Sequence, residues 1–74
     1  MSTTVAGAIR ISLNGEERRV ASGLTVAGLL EEVGLDRRKV AVERNEEIVP
    51  RSTYADTRLE AGDKLEIVHF IGGG

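Results

Sequence analysis

The sequence predicts an α+β domain in which one main helix covers a mixed sheet of four or five strands. Apolar and polar residues alternate in stretches near the beginning and the end of the chain, as in half-buried strands. Between them, one stretch carries apolar residues at helical spacing, and glycine or asparagine marks the turns. The predicted order is strand, strand, helix, strand, short strand, strand. A helix packed on one sheet buries the apolar face of every element.

The first two strands form a hairpin. Residues 9–13 alternate between apolar and polar side chains, and Asn14-Gly15 follows at once. Both turn residues tolerate the positive φ angles that a type I′ turn requires. Residues 16–20, "EERRV", return as a second strand whose charges suit a sheet edge.

A short amphipathic helix follows the hairpin. Thr25 is the predicted N-cap and Gly34 the predicted C′ residue, so that Leu35 can pack back on Leu30 in a Schellman closure. Gly28 lies inside the helix, where it can allow a strand to approach closely. The core-facing stripe has the spacing i, i+3, i+4, i+7 and consists of Val26, Leu29, Leu30 and Val33.

The second half of the chain supplies the remaining strands. Val40 and Val42 indicate a third strand, a turn is expected near Asn45, and Ile48-Val49 form a short fourth strand that ends at Pro50. A single helical turn is expected to begin at Ser52 or Thr53.

The last strand follows a turn at Gly62-Asp63, with Leu65 and Ile67 facing the core. With the first and last strands adjacent and parallel, this order is the β-grasp roll, the architecture of ubiquitin. We expect residues 1–8 to be a loose N-terminal extension, residues 9–71 to form the β-grasp domain, and residues 72–74 to be a flexible tail.

Composition excludes several classes of function. The chain has 74 residues, no cysteine and a net charge of −2, so thiolate chemistry and a Cys-based metal site are impossible, and nucleic acid is not an expected partner. No Gly-rich phosphate loop, metal-ligand spacing, membrane-spanning stretch or convincing signal peptide appears. We therefore expect a cytoplasmic protein without a bound metal or cofactor.

The chain ends in "HFIGGG". Glycine costs most to order, so such an end is either frayed or a slim arm that carries one reactive group. Three features resemble the ThiS family, the sulfur carriers of bacterial thiamine biosynthesis: the "NGEE" hairpin, the segment "RNEEIVPRSTYADTRLEAGDKLEIVHFIGGG" and the Gly-Gly end. The pattern "NxEIVPR", here Asn45 to Arg51, together with the Gly-Asp turn makes the resemblance specific.

The resemblance implies a protein cosubstrate rather than an enzyme. An E1-like adenylating enzyme would use ATP to activate the carboxylate of Gly74, a sulfur donor system would convert it to a thiocarboxylate, and thiazole synthase would take the sulfur. Gly72 and Gly73 would pass through the partner's narrow channel. The small subunit of molybdopterin synthase, a ubiquitin-like protein modifier and a β-grasp binding module with an inert tail stay open as alternatives.

Several other residues are candidates for function. Phe70 and Ile71 lie beyond the core-facing part of the last strand and either dock partners or pack in the core. His69 is the sole histidine, and a structural role is the expected one. Arg51 and Tyr54 are expected to support the loop beside the tail, and residues 37–39, "RRK", to be solvated.

Overall fold

A computed structural model describes residues 7–70 of the chain. This part folds into five strands, one α-helix and two 3₁₀ turns, at Arg37–Lys39 and Arg51–Thr53. None of its helices is long and apolar enough to cross a membrane. The main elements are β1 (Ala8–Leu13), β2 (Glu16–Ala21), α1 (Val26–Val33), β3 (Val40–Arg44), β4 (Glu47–Ile48) and β5 (Lys64–His69).

The strands form one mixed sheet in the order β2-β1-β5-β3-β4. Strands β1 and β5 are parallel neighbours, whereas β1–β2, β3–β4 and β3–β5 are antiparallel. The predicted β-grasp topology is therefore confirmed, with the last strand inserted between the two hairpins. β1 begins at Ala8, which pairs with Ala21.

Both hairpins turn through two residues with positive φ. Asn14 and Gly15 have φ angles of 51° and 87°, and Asn45 and Glu46 have 53° and 71°. These angles belong to the left-handed region that a type I′ turn requires at both central positions. The predicted turns are confirmed. The second one holds Glu46 in a conformation that a side chain normally disfavours.

The predicted helix caps are also confirmed. The Thr25 hydroxyl accepts a hydrogen bond from the N–H of Gly28 at 3.1 Å. Gly34 adopts a φ of 77°, and the N–H of Leu35 donates to the Leu30 carbonyl at 2.9 Å. This six-to-one bond is the Schellman closure, which fixes the direction in which the chain leaves the helix.

Gly28 accommodates a side chain and not a strand, so that expectation was wrong. A Cβ built on Gly28 would lie 2.6 Å from Cδ1 of Leu24, closer than non-bonded carbon atoms approach. Leu24 precedes the helix and packs against the core. The glycine therefore makes room for the loop that leads into its own helix.

The segment after β3 differs from the prediction in register. β4 is Glu47–Ile48, but Ile48 points to solvent, while Val49 is buried and its N–H donates to the Val42 carbonyl at 2.9 Å. The following 3₁₀ turn begins at Arg51, because Pro50 supplies the carbonyl that accepts the first hydrogen bond. Proline has the fixed φ that suits this position, so the turn starts earlier than Ser52 or Thr53.

The core lies between α1 and the inner face of the sheet. Leu65 on β5 is fully buried, and Ile67 packs partly against the same cluster. Val33, the last residue of the predicted helical stripe, is half-buried. The buried apolar residues are Ile11, Val20, Val26, Leu29, Leu30, Val40, Val42, Val49, Tyr54, Leu59 and Leu65.

A buried carboxylate joins the second hairpin to the beginning of β5. Asp63 is only 5% exposed. Its Oδ1 accepts a hydrogen bond from Nδ2 of Asn45 at 3.1 Å, and its Oδ2 accepts one from the N–H of Glu60 at 2.8 Å. Nε of Arg44 lies 3.0 Å from Oδ2 and completes an ion pair. The Gly62-Asp63 turn is thus held by charge as well as by backbone geometry.

Leu30→Ala tests the placement of the helix. Leu30 is buried against the sheet, so we expect its truncation to lower the free energy of unfolding by about 2–5 kcal/mol. Chemical denaturation measures the change, with Val68→Ala, at an exposed site, as the control. Equal midpoints for the two variants would contradict this packing.

Asp63→Ala tests the carboxylate cluster. Truncation leaves the Asn45 amide and the Glu60 N–H without an acceptor and Arg44 without its partner. We expect the free energy of unfolding to fall by about 1–3 kcal/mol. Glu66→Ala removes an exposed carboxylate from the same region and should change the free energy of unfolding by no more than about 0.5 kcal/mol. If both variants unfold at the same denaturant concentration, the cluster does not stabilise the fold.

Candidate functional site

The candidate site is the C-terminal end of β5 and the segment that follows it. β5 pairs with β3 from Leu65 to His69, and the N–H of Phe70 donates to the Lys39 carbonyl at 2.8 Å. The strand is therefore fixed to its neighbour up to Phe70. The predicted tail residues Gly72, Gly73 and Gly74, and the predicted docking residue Ile71, lie outside the described residues.

Phe70 does not belong to the core. Half of its surface is exposed (50%), and Val68, two positions earlier on the same strand, is 61% exposed. Because side chains alternate along a strand, the inward-facing Leu65 and Ile67 place Val68 on the opposite, outer face. The same alternation is readable in the sequence, so Val68 could have been predicted together with Phe70.

A third exposed apolar side chain lies on the outer face. Ile48 of β4 is 67% exposed and pairs with Glu43, which in turn pairs with Glu66 of β5. Paired residues of neighbouring strands lie on one face of a sheet, so Ile48 shares a face with Val68. We call Ile48, Val68 and Phe70 the outer-face patch. The carboxylates of Glu43 and Glu66 lie on the same face, beside the patch.

On its other side, β5 is held by the side chain of Asn14. The Asn14 Oδ1 accepts a hydrogen bond from the N–H of Ile67 at 2.8 Å, and its Nδ2 donates to the Ile67 carbonyl at 3.3 Å. The N–H of Asn14 also donates to the Leu65 carbonyl at 2.9 Å. Sequence reasoning assigned Asn14 to the turn alone, because nothing local indicates a partner 53 positions away.

His69 is exposed, and residues 7–70 contain no group of three or more His, Cys, Asp or Glu side chains that could hold a metal ion. It lies on β5 opposite Val40. No ion pair and no metal-binding cluster within residues 7–70 includes His69.

Tyr54 is a core residue. It is buried, and its carbonyl accepts the N–H of Ala27 at 3.0 Å. It therefore supports the start of α1, and its support of the loop beside the tail stays a prediction. Arg51 is exposed.

Residues 37–39 are exposed, as predicted, and Arg38 is engaged by its neighbour Asp36. The guanidinium of Arg38 makes two hydrogen bonds to the Asp36 carboxylate, at 3.1 and 3.0 Å. These bonds, together with the backbone N–H of Arg38, lower the pKa of Asp36 to about 2. Asp36 caps the N-terminus of the 3₁₀ turn. The basic residues 37–39 form this turn, which leads into β3.

The described architecture matches solved structures of known proteins. The crystal structure of the thiamine biosynthesis protein ThiS from Geobacter metallireducens has a TM-score of 0.76 and 32% sequence identity, and the match covers 89% of this chain and 100% of that one. The sulfur carrier protein ThiS of Bacillus subtilis is 38% identical over 65 residues, which are 86% of this chain and 98% of the relative.

A second group of relatives is much longer. The thiazole synthase of Paramagnetospirillum magneticum is 59% identical over 66 residues, and that of Magnetococcus marinus is 48% identical over the same length. This chain spans 20% of the length of each of them, so the matched part is a small segment of those proteins. The model of the ThiS family matches residues 11–74, which include both the β-grasp body and the glycine tail. The chain belongs to the ThiS family.

Proposed function

We propose that the chain is a sulfur carrier for formation of the thiazole ring of thiamine, with Gly74 as the residue that carries the sulfur. The family match over residues 11–74 is the observation that carries the proposal, because it includes the body and the tail together. Relatives of nearly the same length bear the name sulfur carrier protein. In this role the chain is a cosubstrate that enzymes modify, and it catalyses nothing itself.

The chemistry requires a free carboxylate on Gly74. With a pKa near ~3.5, an α-carboxyl group is ionised at neutral pH. One of its oxygens attacks the α-phosphorus of ATP in the active site of an E1-like adenylating enzyme, and pyrophosphate leaves. Hydrosulfide delivered by a sulfur donor system then attacks the carbonyl carbon and the bond to AMP breaks. The thioacid that forms loses its proton and becomes the thiocarboxylate.

The glycines suit the transfer because they carry no side chain. Gly72 and Gly73 allow the backbone to enter a channel that is too narrow for a Cβ, and the partner can form hydrogen bonds with their peptide groups. Binding of this kind fixes the carboxylate near the reactive phosphate, and correct placement supplies much of the acceleration.

The outer-face patch is the proposed docking surface for the adenylating enzyme. Val68 and Phe70 are exposed on the strand that leads directly into the tail, so a partner that covers them brings its active site close to Gly74. Exposed apolar side chains of this kind are typical of protein interaction sites. Glu43 and Glu66 on the same face would attract a partner with basic residues there.

Thiazole synthase is the proposed acceptor of the sulfur. Two thiazole synthases contain a segment similar to this chain within one polypeptide, which is the arrangement expected when carrier and acceptor act in succession. Tethering raises the effective concentration of one partner near the other. Two of the alternatives, a protein modifier and a module with an inert tail, are distinguishable by the mass of the chain isolated from its native cell. A thiocarboxylate supports the proposal, a conjugate to lysine supports a protein modifier, and an unmodified end supports an inert tail.

Phe70→Ala tests the docking surface. We expect Kd for the adenylating enzyme to rise about tenfold or more, because a half-exposed aromatic side chain beside the tail is a candidate for a dominant contact. The denaturant midpoint should change little. Arg51→Ala, at an exposed site outside the patch, should leave Kd unchanged. If Phe70→Ala unfolds the domain, or binds as well as the unmodified chain, Phe70 is not a docking residue.

Changes at the tail test the role of Gly74. Deletion of Gly74 shortens the arm by up to about 3.6 Å, and a misplacement of ~1 Å can cost on the order of a hundredfold in rate. Addition of one residue after Gly74 should have the same effect, and Gly73→Ala tests the channel by adding a Cβ at constant length. We expect ATP–pyrophosphate exchange to be nearly lost in all three, while circular dichroism shows an intact fold. Exchange at the unmodified rate in all three would contradict the proposal.

A further inference from the structure

The parallel contact between β1 and β5 is short. Only two residue pairs, Ser12 with Lys64 and Leu13 with Leu65, are formed before β1 turns away into its hairpin. β5 continues for four more residues, to His69. Beyond Leu65, therefore, no strand of the described chain covers this side of β5.

The side chain of Asn14 takes the place of the missing strand. Its carboxamide offers one acceptor and donors on one planar group, as a backbone peptide does. It uses both toward Ile67, accepting from the N–H at 2.8 Å and donating to the carbonyl at 3.3 Å. The main-chain N–H of Asn14 meanwhile binds the Leu65 carbonyl at 2.9 Å. The hairpin turn thus extends the sheet by one step along β5.

We propose that Asn14 is a positioning residue for the transfer chemistry: its side chain holds β5 in the sheet through Ile67 and so sets the direction in which the tail leaves the body. This inference rests on the proposed function. Ile67 is three residues before Phe70, the last residue that the sheet holds through the Lys39 carbonyl. Without the Asn14 amide, the end of β5 is held from the β3 side alone.

A loosened strand end affects turnover more than binding. The outer-face patch remains attached to β3 through the pairs of β5, so a partner can still bind. The tail, however, would sample a wider range of directions, and fewer of them would place the carboxylate against the reactive phosphate. Loss of near-attack geometry lowers the rate of the bound complex.

Asn45 provides a matched control. It lies in the other type I′ turn with nearly the same φ, 53° against 51°, and its side chain also binds β5. Its Oδ1 accepts the N–H of Lys64 at 2.9 Å, at the beginning of the strand. The two asparagines therefore share residue type, backbone conformation and an Oδ1 that accepts an N–H of β5. They differ in which end of β5 they hold, and Asn45 also donates from Nδ2 to the Asp63 carboxylate.

The experiment compares Asn14→Gly with Asn45→Gly in the full 74-residue chain. Glycine keeps the positive φ that both turns require and removes only the side-chain bonds. Amide hydrogen exchange, corrected for the free energy of unfolding of each variant, should show protection at Ile67 and Phe70 reduced about tenfold in Asn14→Gly and unchanged in Asn45→Gly.

Pyrophosphate exchange with the adenylating enzyme gives the second readout. We expect Asn14→Gly to lower kcat about tenfold with little change in KM, and Asn45→Gly to change neither. Asn14→Asp keeps the acceptor for the Ile67 N–H but loses the donor. Its kcat should lie between that of Asn14→Gly and that of the unmodified chain.

Two results would overturn the inference. Unchanged protection at Ile67 and Phe70 in Asn14→Gly would show that β3 alone orders the end of β5. An equal loss of kcat in both glycine variants would mean that stability, and not position, governs the rate. If the unmodified chain is not adenylated at all, the proposed function fails instead. The amide hydrogen exchange data then still decide whether Asn14 orders the strand.

Discussion

The fold depends on the insertion of β5 between two hairpins. The order β2-β1-β5-β3-β4 makes this strand the sole link within the described sheet between the first hairpin and the second. Its contacts with the first hairpin join residues as far apart as Asn14 and Ile67, which are 53 positions distant in sequence. Contacts of this range form only after most of the chain is ordered, because loop closure costs entropy. The strand that leads to the glycine tail is thus the one that completes the domain.

Local chemistry made most of the fold predictable. The Asn14-Gly15 turn, the Thr25 cap and the Gly34 closure each follow from a backbone conformation that few residues adopt. The errors arose where the deciding contact is distant or is a side chain. The neighbour of Gly28 is the side chain of Leu24, which no periodicity reveals. The early start of the 3₁₀ turn has a local cause instead, because the carbonyl of Pro50 accepts the N–H of Thr53.

The candidate site was predictable only in part. Alternation along β5 places Val68 and Phe70 outside, and the exposure of Phe70 agrees with one of the two roles that the sequence left open. The support of β5 was not predictable, because asparagine in a type I′ turn is explained by its φ angle alone. In this fold the same residue type serves twice: Asn45 binds the beginning of β5 and Asn14 binds its later part. A turn residue can therefore fix a strand that lies far from it in sequence.

A carrier that passes from one enzyme to the next must bind each enzyme weakly enough to be released, and its reacting group must still be placed accurately. The outer-face patch has few apolar side chains and lies among carboxylates, and a small, partly charged surface suits contacts that form quickly and dissociate again. A larger apolar surface would hold the first partner too long. In the proposed function, weak docking would leave the placement of the Gly74 carboxylate to the body of the carrier. The proposed support of β5 by Asn14 would supply this placement without adding any contact with the partner.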